Sequence, residues 1–539
     1  MLEAFWIPLL PPFFLGLLLS WAVECLLLPR PAAPWRRPWA ANFTHLGVWL
    51  IAFALELALF RRPYFAVANV LTIQLVIILV SRAKYQALQE PFVYPDFEYF
   101  TDAIKHPRLY LPFFGWGNAL TAASSYGLAL WVGLRLEESL TAGAGIWLKS
   151  PVDLPRKSLL DLAAPVPSLY MHTVAMASLG VVIAICAGRR LMVDFDAEGD
   201  LKQLGLAGAL WAYARAEREP ADALRKRARF HRDDSIVTLP PELPNLISVQ
   251  SESFFDVRRA YAVVKRDILR GFDELCAEAV AFGELNVAAR GANTVRTEFA
   301  FLSGMTAQML GIHHYNPYRR LASQRIPTLA SYLKALGYRT VCVHPYHGEF
   351  YRRDKVLPAL GFDEFIDIKA FGGAERVGAY VGDGALADYV IDLLNRREKQ
   401  KPIYVHVITM ENHGPLHREH ITDECISTVL NDPLPEGCTD LIAYARHIRN
   451  ADMMFSKLKA YLQNSPRSAG LCVYGDHIPI MPRVYRALGE VDGRTDYLIW
   501  RNGRQEQAVR AEMDISDLAV EFLGANGIKI SLKQPMFNQ

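Results

Sequence analysis

Acidic and imidazole side chains follow three short apolar runs in the second half of this 539-residue chain. They are Glu252 after residues 246–249, Glu411-Asn412-His413 after residues 403–408, and Asp476-His477 after residues 470–474. Carboxylate oxygens and imidazole nitrogens are ligands that Mn²⁺, Mg²⁺ and Zn²⁺ accept in proteins. Any one of these groups, taken alone, is more typical of a turn, a helix cap or a surface charge. A metal site therefore requires that the fold bring the three groups together.

A hydroxyl stands at the predicted start of a helix in the segment RGANTVRTEF, residues 290–299. Glycine and a polar run precede Thr294, and an apolar helical pattern follows it. The free N–H groups and the dipole of a helix N-terminus favour an anion there. Thr294 is therefore either a helix cap or a nucleophile that attacks an anionic group, and the two roles are compatible.

The apolar runs alternate with amphipathic segments of helical period. The candidate strands are residues 246–249, 340–343, 403–408 and 470–474, and the candidate helices are residues 328–336, 386–395 and 441–462. This alternation predicts an α/β domain with a central, mostly parallel sheet covered by helices on both faces. In such sheets catalytic groups gather at the carboxyl ends of the strands, where the acidic and imidazole side chains stand.

Apolar runs long enough to cross a bilayer occur only in the first 190 residues. The runs are residues 5–28, 43–60, 65–82, 111–134 and 169–187. They predict an N-terminal transmembrane domain of five helices. A cleaved signal peptide is the alternative for the first run, but no basic segment precedes it and further runs follow. An odd number of spans places the two ends of the domain on opposite sides, and the Lys and Arg count of the loops slightly favours a cytoplasmic C-terminal half.

The composition changes again after residue 190. Residues 191–240 are rich in Arg, Glu, Asp and Ala, which predicts a juxtamembrane helix and linker. The predicted domains are therefore 1–190 for the transmembrane part, 191–240 for the linker and 241–539 for the α/β domain. The net charge of +2 gives no basic field for nucleic acid, and the seven cysteines contain no CxxC pair.

In their order along the chain, these motifs resemble the lipoteichoic acid synthase family of the sulfatase and alkaline phosphatase superfamily. The matching segments are Glu252, Asn293-Thr294-x-x-x-Glu298-Phe299, His347-Gly-Glu-Phe-Tyr351-Arg-Arg353-Asp354, Gly361-Phe-Asp-Glu-Phe365, Asn412-His413 and Gly475-Asp476-His477. Five membrane spans before one such domain are also similar to that family's layout. The resemblance implies an alkaline-phosphatase-like α/β fold for residues 241–539.

The resemblance also implies roles for individual residues. One divalent metal, expected to be Mn²⁺ with Mg²⁺ or Zn²⁺ as alternatives, would be held by Glu252, Thr294, Asp476 and His477. Thr294 would be the nucleophile and His413 the general acid and base. Arg353, His347 and His413 would bind the lipid headgroup, and His344 is given no role.

The implied reaction moves phosphoglycerol from phosphatidylglycerol to a glycan or glycolipid acceptor through a covalent phosphothreonine. Members of the family work on the outer face of the bacterial cytoplasmic membrane, which outweighs the small difference in loop charges and places the catalytic domain on the outer, periplasmic side. In that oxidising compartment Cys425 and Cys438 could form a disulfide.

Two segments depart from the family pattern. Tyr351 stands where Gram-positive synthases often have Trp, and Val295-Arg296-Thr297 replaces a Ser-Asp-Ser run, so the acceptor stays open. A phosphoethanolamine transferase of the same fold, acting on lipid or periplasmic glycan, is the main alternative. A sulfatase is disfavoured, because the segment around Thr294 lacks the C/S-x-P-x-R motif that matures to formylglycine. A non-catalytic scaffold would have no need of the predicted metal-binding set.

Overall fold

A computed structural model describes residues 9–98, 116–141, 165–218, 222–230, 237–396, 401–503 and 507–530. The chain forms two compact units, residues 1–219 and 220–539. The division lies inside the segment predicted as a linker, and the second unit begins before the predicted residue 241. One reason is that Val237–Thr238 pairs with Lys529–Ile530, near the C-terminal end of the described chain.

The described residues of the first unit form six α-helices. They are α1 Leu10–Glu24, α2 Trp39–Phe60, α3 Pro63–Leu88, α4 Trp116–Leu136, α5 Pro165–Gly188 and α6 Ala197–Ala216. Helices α2 and α5 approach closely where Gly47 faces Gly180, since a Cβ atom on either glycine would lie 2.7 Å from the other's carbonyl oxygen. Small residues at helix crossings are typical of membrane helices. Helix α6 occupies the predicted juxtamembrane segment, and the Asp196 carboxylate caps it by accepting the N–H groups of Glu198 and Gly199.

Three helices are long and apolar enough to cross a membrane: Trp39–Phe60, Pro63–Leu88 and Pro167–Gly188. They confirm the predicted spans 43–60, 65–82 and 169–187. The predicted spans 5–28 and 111–134 contain shorter apolar stretches over their described residues: helix α1, Leu10–Glu24, and the part of α4 from Tyr126 to Leu136. Residues 5–8 and 111–115 lie outside the described chain. The described residues therefore provide three candidate spans where the sequence predicts five.

The second unit is built on a nine-stranded sheet. The strands of the unit are β1 Val237–Thr238, β2 Asn245–Ser251, β3 Ala281–Asn286, β4 Arg339–Val343, β5 Glu364–Ile366, β6 Arg376–Val377, β7 Tyr380–Val381, β8 Ile403–Ile408, β9 Ala469–Gly475, β10 Thr495–Arg501, β11 Val509–Arg510, β12 Met513–Asp514 and β13 Lys529–Ile530. The strand order is β11-β3-β10-β9-β2-β8-β4-β5, with β12 also on β3. Only β10 runs antiparallel to its neighbours, β3 and β9, within this described sheet. The prediction of a mostly parallel sheet is confirmed.

Helices cover both faces of this sheet. They are α7 Asp222–Arg227, α8 Arg270–Glu278, α9 Thr294–Ser303, α10 Ala307–Leu310, α11 Pro317–Arg320, α12 Leu329–Ala335, α13 Arg353–Ala359, α14 Asp383–Arg396, α15 Asp423–Val429, α16 Thr439–Gln463, α17 Pro482–Leu488 and α18 Ile515–Ala525. Alternate residues of β8 show the layering: Ile403, Val405 and Val407 pack with α14 and α16, whereas Tyr404 and Ile408 pack with α9, α12 and α18. Both faces of β8 are apolar because both are buried.

The expected disulfide is absent, since all seven cysteines are free thiols. Cys425 lies in α15 with its sulfur 3.9 Å from a guanidinium nitrogen of Arg446. Cys438 is buried at the N-terminus of α16. The sequence left open whether these two residues are bonded, and in this structure they are not.

Candidate metal centre and active site

The register of the sheet brings two acidic residues together. Strand β2 lies parallel to β9, and Ser251 pairs with Gly475, so that Glu252 and Asp476 leave the same edge side by side. A Cβ atom at position 475 would collide with the carbonyl oxygen of Phe254, which explains the glycine before Asp476. The prediction that strand ends would converge is therefore correct for these two groups.

Glu252, Asp476 and His477 offer three ligand atoms within 4.8 Å of one another, and all three residues are buried. His477 Nε2 lies 3.6 Å from Glu252 Oε1 and 3.5 Å from Asp476 Oδ2. Asp476 Oδ1 accepts the N–H groups of Ser253 and His477. Asp476 Oδ2 is buried and has no hydrogen-bond partner among the described residues.

This arrangement fits a divalent cation. Burial and the nearby Glu252 carboxylate raise the pKa of Asp476 to about 7. Two carboxylates in one buried place are unfavourable unless a positive charge joins them. Two carboxylate oxygens and one imidazole nitrogen are ligands that Mn²⁺, Zn²⁺ and Mg²⁺ accept in proteins. The three buried residues are therefore the candidate metal site.

Thr294 is the first residue of α9, and Asn293 occupies the cap position in a left-handed conformation with φ of 66°. The threonine hydroxyl is thus not the cap of this helix. Its Oγ1 atom lies 3.5 Å from His477 Nε2, and the residue is buried. Thr297 Oγ1 donates to the carbonyl of Asp476 at 2.7 Å and fixes the helix to the end of β9. The helix N-terminus therefore presents a hydroxyl directly at the candidate metal site.

Arg353, predicted to bind a headgroup, is 1% exposed and joins a buried network. Its Nη2 donates to Glu298 Oε2 at 2.7 Å, and Tyr318 donates to the other oxygen of that carboxylate. Glu298 lies one helical turn beyond Thr294, on the same side of α9. Arg353 Nε has no hydrogen-bond partner among the described residues. The network therefore ties this arginine to the helix of the candidate nucleophile.

His344 rather than His347 lies beside Arg353. His344 is buried, and its Nε2 lies 3.4 Å from Arg353 Nη1 while its Nδ1 lies 3.2 Å from the carbonyl of Ile408. Burial and then the arginine charge hold the pKa of His344 well below its usual value, so the ring is neutral. His347 is exposed. The signal that could have found His344 is its position directly after β4.

His413 is half-buried in the loop that follows β8. Its Nδ1 lies 2.8 Å from the carbonyl oxygen of Gly414, an acceptor, so Nδ1 carries the proton and Nε2 is left as the basic atom. The preceding Asn412 donates through Nδ2 to the carbonyl of Glu252 at 3.1 Å. The loop of His413 is therefore attached to the strand end that supplies a candidate metal ligand.

Glu411, the other acidic residue at the end of β8, is not part of the metal site. It is fully buried and accepts from His447 Nδ1 at 2.9 Å, Asn450 Nδ2 at 2.6 Å and the N–H of Asp383 at 2.7 Å. His447 Nε2 lies 3.1 Å from Glu419 Oε2. Sequence reasoning missed His447, which lies on α16 and holds the loop that leads to His413 through its contact with Glu411.

The class of protein is defined by a mostly parallel sheet whose strand ends carry a buried candidate metal site and a threonine hydroxyl. The family model described as Sulfatase matches residues 244–528, which is more than half of the chain. The chain therefore belongs to the sulfatase family.

Two curated relatives come from Rhizobium meliloti strain 1021. The capsular polysaccharide biosynthesis protein RkpI is 27% identical over 468 residues, covering 85% of this chain and 81% of the relative. A putative cyclic beta-1,2-glucan modification protein is 28% identical over 254 residues, covering 47% of this chain and 38% of the relative. Lipoteichoic acid synthase 1 of Bacillus subtilis is a more distant match, 25% identical over 180 residues, covering 32% of this chain and 27% of the relative.

One solved structure resembles both units. The integral membrane lipooligosaccharide phosphoethanolamine transferase A of Neisseria meningitidis matches with a TM-score of 0.51 at 13% identity. The match covers 92% of this chain and 89% of that protein. At this identity the likeness concerns the fold alone, a helical membrane region followed by a sulfatase-like domain.

Proposed function

We propose that this protein is a metal-dependent phosphoglycerol transferase. It would move the headgroup of phosphatidylglycerol to a glycan or glycolipid acceptor of the cell envelope, through a covalent phosphothreonine at Thr294. The observation that carries the proposal is the Thr294 hydroxyl, 3.5 Å from His477 Nε2, at the end of the sheet that holds Glu252 and Asp476. The capsular polysaccharide and glucan functions in the names of two relatives support a glycan acceptor.

Glu252, Asp476, His477 and Thr294 Oγ1 are the proposed metal ligands, with Mn²⁺ as the native ion and Mg²⁺ or Zn²⁺ as alternatives. A bound divalent cation lowers the pKa of a coordinated hydroxyl and offsets negative charge on the reacting phosphate. The helix N-terminus at Thr294 stabilises the same charge through its free N–H groups.

The chain's own residues then divide the reaction into two transfers. Thr294 Oγ1 gives up its proton to solvent and attacks the phosphorus, and the bond from phosphorus to the diacylglycerol oxygen breaks. His413 enters this step with protons on both ring nitrogens, and its Nε2 proton passes to the diacylglycerol oxygen. In the second transfer the now neutral His413 Nε2 removes the proton of an acceptor hydroxyl, whose oxygen attacks the phosphorus. The bond from phosphorus to Thr294 Oγ1 breaks, Thr294 leaves as the alkoxide, and His413 is again protonated for the next cycle. The bond between His413 Nδ1 and Gly414 keeps the same ring nitrogen free for both transfers.

The proposed headgroup pocket consists of Arg353, His347 and His413, with His344 added for its contact with Arg353. Arg353 Nε is the nitrogen left for a headgroup oxygen, because Nη1 and Nη2 face His344 and Glu298. A phosphoethanolamine headgroup is the second candidate, favoured by the shared fold with a phosphoethanolamine transferase over both units.

The proposed location is the bacterial cytoplasmic membrane, with the catalytic domain on its outer, periplasmic side. We propose five membrane helices within residues 1–190, a linker over 191–240 and the catalytic domain from 241 onward. A lipid donor does not leave the bilayer, so a catalytic domain attached to membrane helices stays close to its substrate.

Mass spectrometry of the full-length protein, incubated with Mn²⁺ and either phosphatidylglycerol or phosphatidylethanolamine, tests the proposal. We expect a glycerophosphate adduct on Thr294 and release of diacylglycerol. Thr294→Ala should abolish both, while Thr306→Ala serves as a matched threonine control because Thr306 only caps a short helix. An ethanolamine phosphate adduct would assign the alternative donor, and full diacylglycerol release by Thr294→Ala would refute the mechanism.

A further inference from the structure

Two tyrosines, Tyr346 and Tyr380, form an aromatic wall beside His413, called here the tyrosine wall. Their ring centroids are 6.1 Å apart with an interplanar angle of 64°. The ring of Tyr380 lies 5.6 Å from the imidazole of His413, and its hydroxyl lies 3.4 Å from His413 Nδ1. Both tyrosines are half-buried, so each keeps part of its surface open to a ligand.

The backbone on both sides of the wall is fixed. The N–H of Tyr346 donates to the carbonyl of His344 at 2.8 Å, and its own carbonyl accepts the N–H of Ile368 at 3.1 Å. Tyr380 begins β7 and pairs with Val377 of β6. The ring of Tyr346 also packs edge-on against Phe350, with centroids 5.5 Å apart. The wall is therefore a preorganised surface, and a ligand that binds it need not order these side chains first.

The position of the base limits where an acceptor can lie. An acceptor hydroxyl must come within hydrogen-bond distance of His413 Nε2 to lose its proton. Tyr380 is the aromatic ring that neighbours the His413 imidazole, so a sugar ring presented to this base would lie within reach of the tyrosine wall. A pyranose has a face of C–H groups that packs on an aromatic ring, and its hydroxyls bond to polar groups at the rim. Tyr346 is half-buried and carries such a polar group, its hydroxyl.

We propose that the tyrosine wall is the acceptor subsite and that it holds one sugar ring of a glycan against His413. The inference rests on the proposed function, because it concerns the second transfer. Tyr346 also packs edge-on against His347 of the proposed headgroup pocket, with ring centroids 5.2 Å apart. The inference therefore requires that loss of the Tyr346 ring weakens the second transfer more than the first, from lipid to Thr294.

The two transfers can be measured separately in the full-length protein in detergent with Mn²⁺. Diacylglycerol release in a single turnover, with enzyme in excess over headgroup-labelled phosphatidylglycerol and no oligosaccharide, reports the first transfer. Passage of label to hexose oligosaccharides, among them β-1,2-linked glucotetraose, reports the second. We expect Tyr346→Ala to raise the KM for the oligosaccharide about tenfold, the effect of losing one aromatic contact, with a clearly smaller change in diacylglycerol release. Tyr346→Phe should keep the wild-type KM within about threefold, since the ring remains.

Tyr461→Ala is the matched control, because Tyr461 is half-buried on α16 with its hydroxyl on Asn395 and should leave both transfers unchanged. An unchanged oligosaccharide KM in Tyr346→Ala, or an equal loss of both transfers in a variant that melts like wild type, would overturn the inference while the proposed function stands. Absence of any Thr294 adduct in the wild-type protein would instead refute the proposed function. If Tyr346→Ala does not fold, Tyr346→Leu keeps the bulk without the ring and makes the same comparison.

Discussion

Asp476 Oδ2 is the atom that makes the candidate metal site testable without any substrate, since it is buried and has no hydrogen-bond partner among the described residues. Adding Mn²⁺ to the metal-free full-length protein should raise its thermal midpoint, because a ligand that binds only the folded state stabilises it. The gain is about 3 kcal/mol at a hundredfold excess over Kd. Asp476→Asn should remove most of the increase in a thermal unfolding scan.

Asp388→Asn provides the comparison for that experiment. Asp388 is an exposed carboxylate of α14 that pairs with Lys457 at 2.5 Å. Its variant should respond to Mn²⁺ as the wild-type protein does. A full Mn²⁺ response in Asp476→Asn would show that the ion binds elsewhere.

The pair of Arg353 and Glu298 should matter far more for stability than an exposed pair of the same type. Glu298→Gln leaves a buried guanidinium without its carboxylate and should lower the free energy of unfolding by about 3–5 kcal/mol. Glu364→Gln breaks the half-exposed pair with Arg339, whose separation is 2.6 Å, and should cost less than about 1 kcal/mol. Denaturant titration of both variants measures the difference, and equal losses would contradict the burial argument.

At this scale the sequence located Glu252, Thr294, Asp476 and His477 because each follows a strand or begins a helix. The structure brings these four residues together. His344 was missed for a physical reason: whether it or His347 faces the site depends on where β4 ends, at Val343. The ion pair between Arg353 and Glu298 was also missed. These residues are 55 positions apart, and only the packing of the folded chain brings them together.

Between elements, His447 of α16 holds the loop after β8 and should make stability depend on pH. Burial opposes its protonation, but hydrogen bonds to Glu411 and Glu419 raise the pKa of His447 to about 9, against an ordinary value of 6.5. The pKa of His447 is higher in the folded protein than in the unfolded one. The stabilisation that protonated His447 provides is therefore complete below about pH 6.5 and is lost as the pH rises through about 9. The loss amounts to about 3 kcal/mol.

Thermal midpoints of the full-length protein between pH 6 and pH 10 measure this effect. His447→Gln should flatten the decline above pH 6.5 and lower the midpoint at neutral pH. His420→Gln, which alters an exposed histidine, should keep the wild-type pH profile. A decline of the same size in His447→Gln would assign the pH dependence to other groups.

The strands were predictable as elements because buried parallel strands are continuous apolar runs, and each of the four predicted runs lies in β2, β4, β8 or β9. The network of Glu411 was not predictable, since its partner His447 lies 36 residues further along the chain. Helical period shows that α16 is amphipathic, but it does not show which strand end a given histidine will meet.

For the whole molecule, the number of membrane crossings decides where the second unit lies. If five helices cross, a green fluorescent protein fused at the N-terminus should fluoresce inside the cell, and an alkaline phosphatase fused after residue 218 should be active outside. The two fused proteins are expected on opposite sides because an odd number of helices crosses the membrane.

Three crossings would give the same result, so a second alkaline phosphatase fusion, within residues 99–115, is needed. It would be active if all five predicted spans cross, because three crossings then precede it, and inactive if only the three candidate spans cross, because two then precede it. Opposite activities of the fusion after residue 218 would contradict the proposed location.

Hydropathy separated the two units well because membrane helices and a water-facing α/β domain have different compositions. It could not fix the number of crossings, since the described apolar helix of the first predicted span, Leu10–Glu24, has only 15 residues. The disulfide between Cys425 and Cys438 was considered only because the periplasm is oxidising. The positions of the two residues depend on the fold, which buries Cys438 and places Cys425 against Arg446.

The pairing of β2 with β9 has a consequence for the order of events during synthesis. Glu252 is made early in the second unit, but Asp476 and His477 follow a strand that begins only at Ala469. A ribosome must therefore complete most of the unit before the three ligands can meet. Capture of the ion is then a late step of biogenesis, and a chain that stalls before β9 would reach the membrane with its helices in place and no means of binding metal.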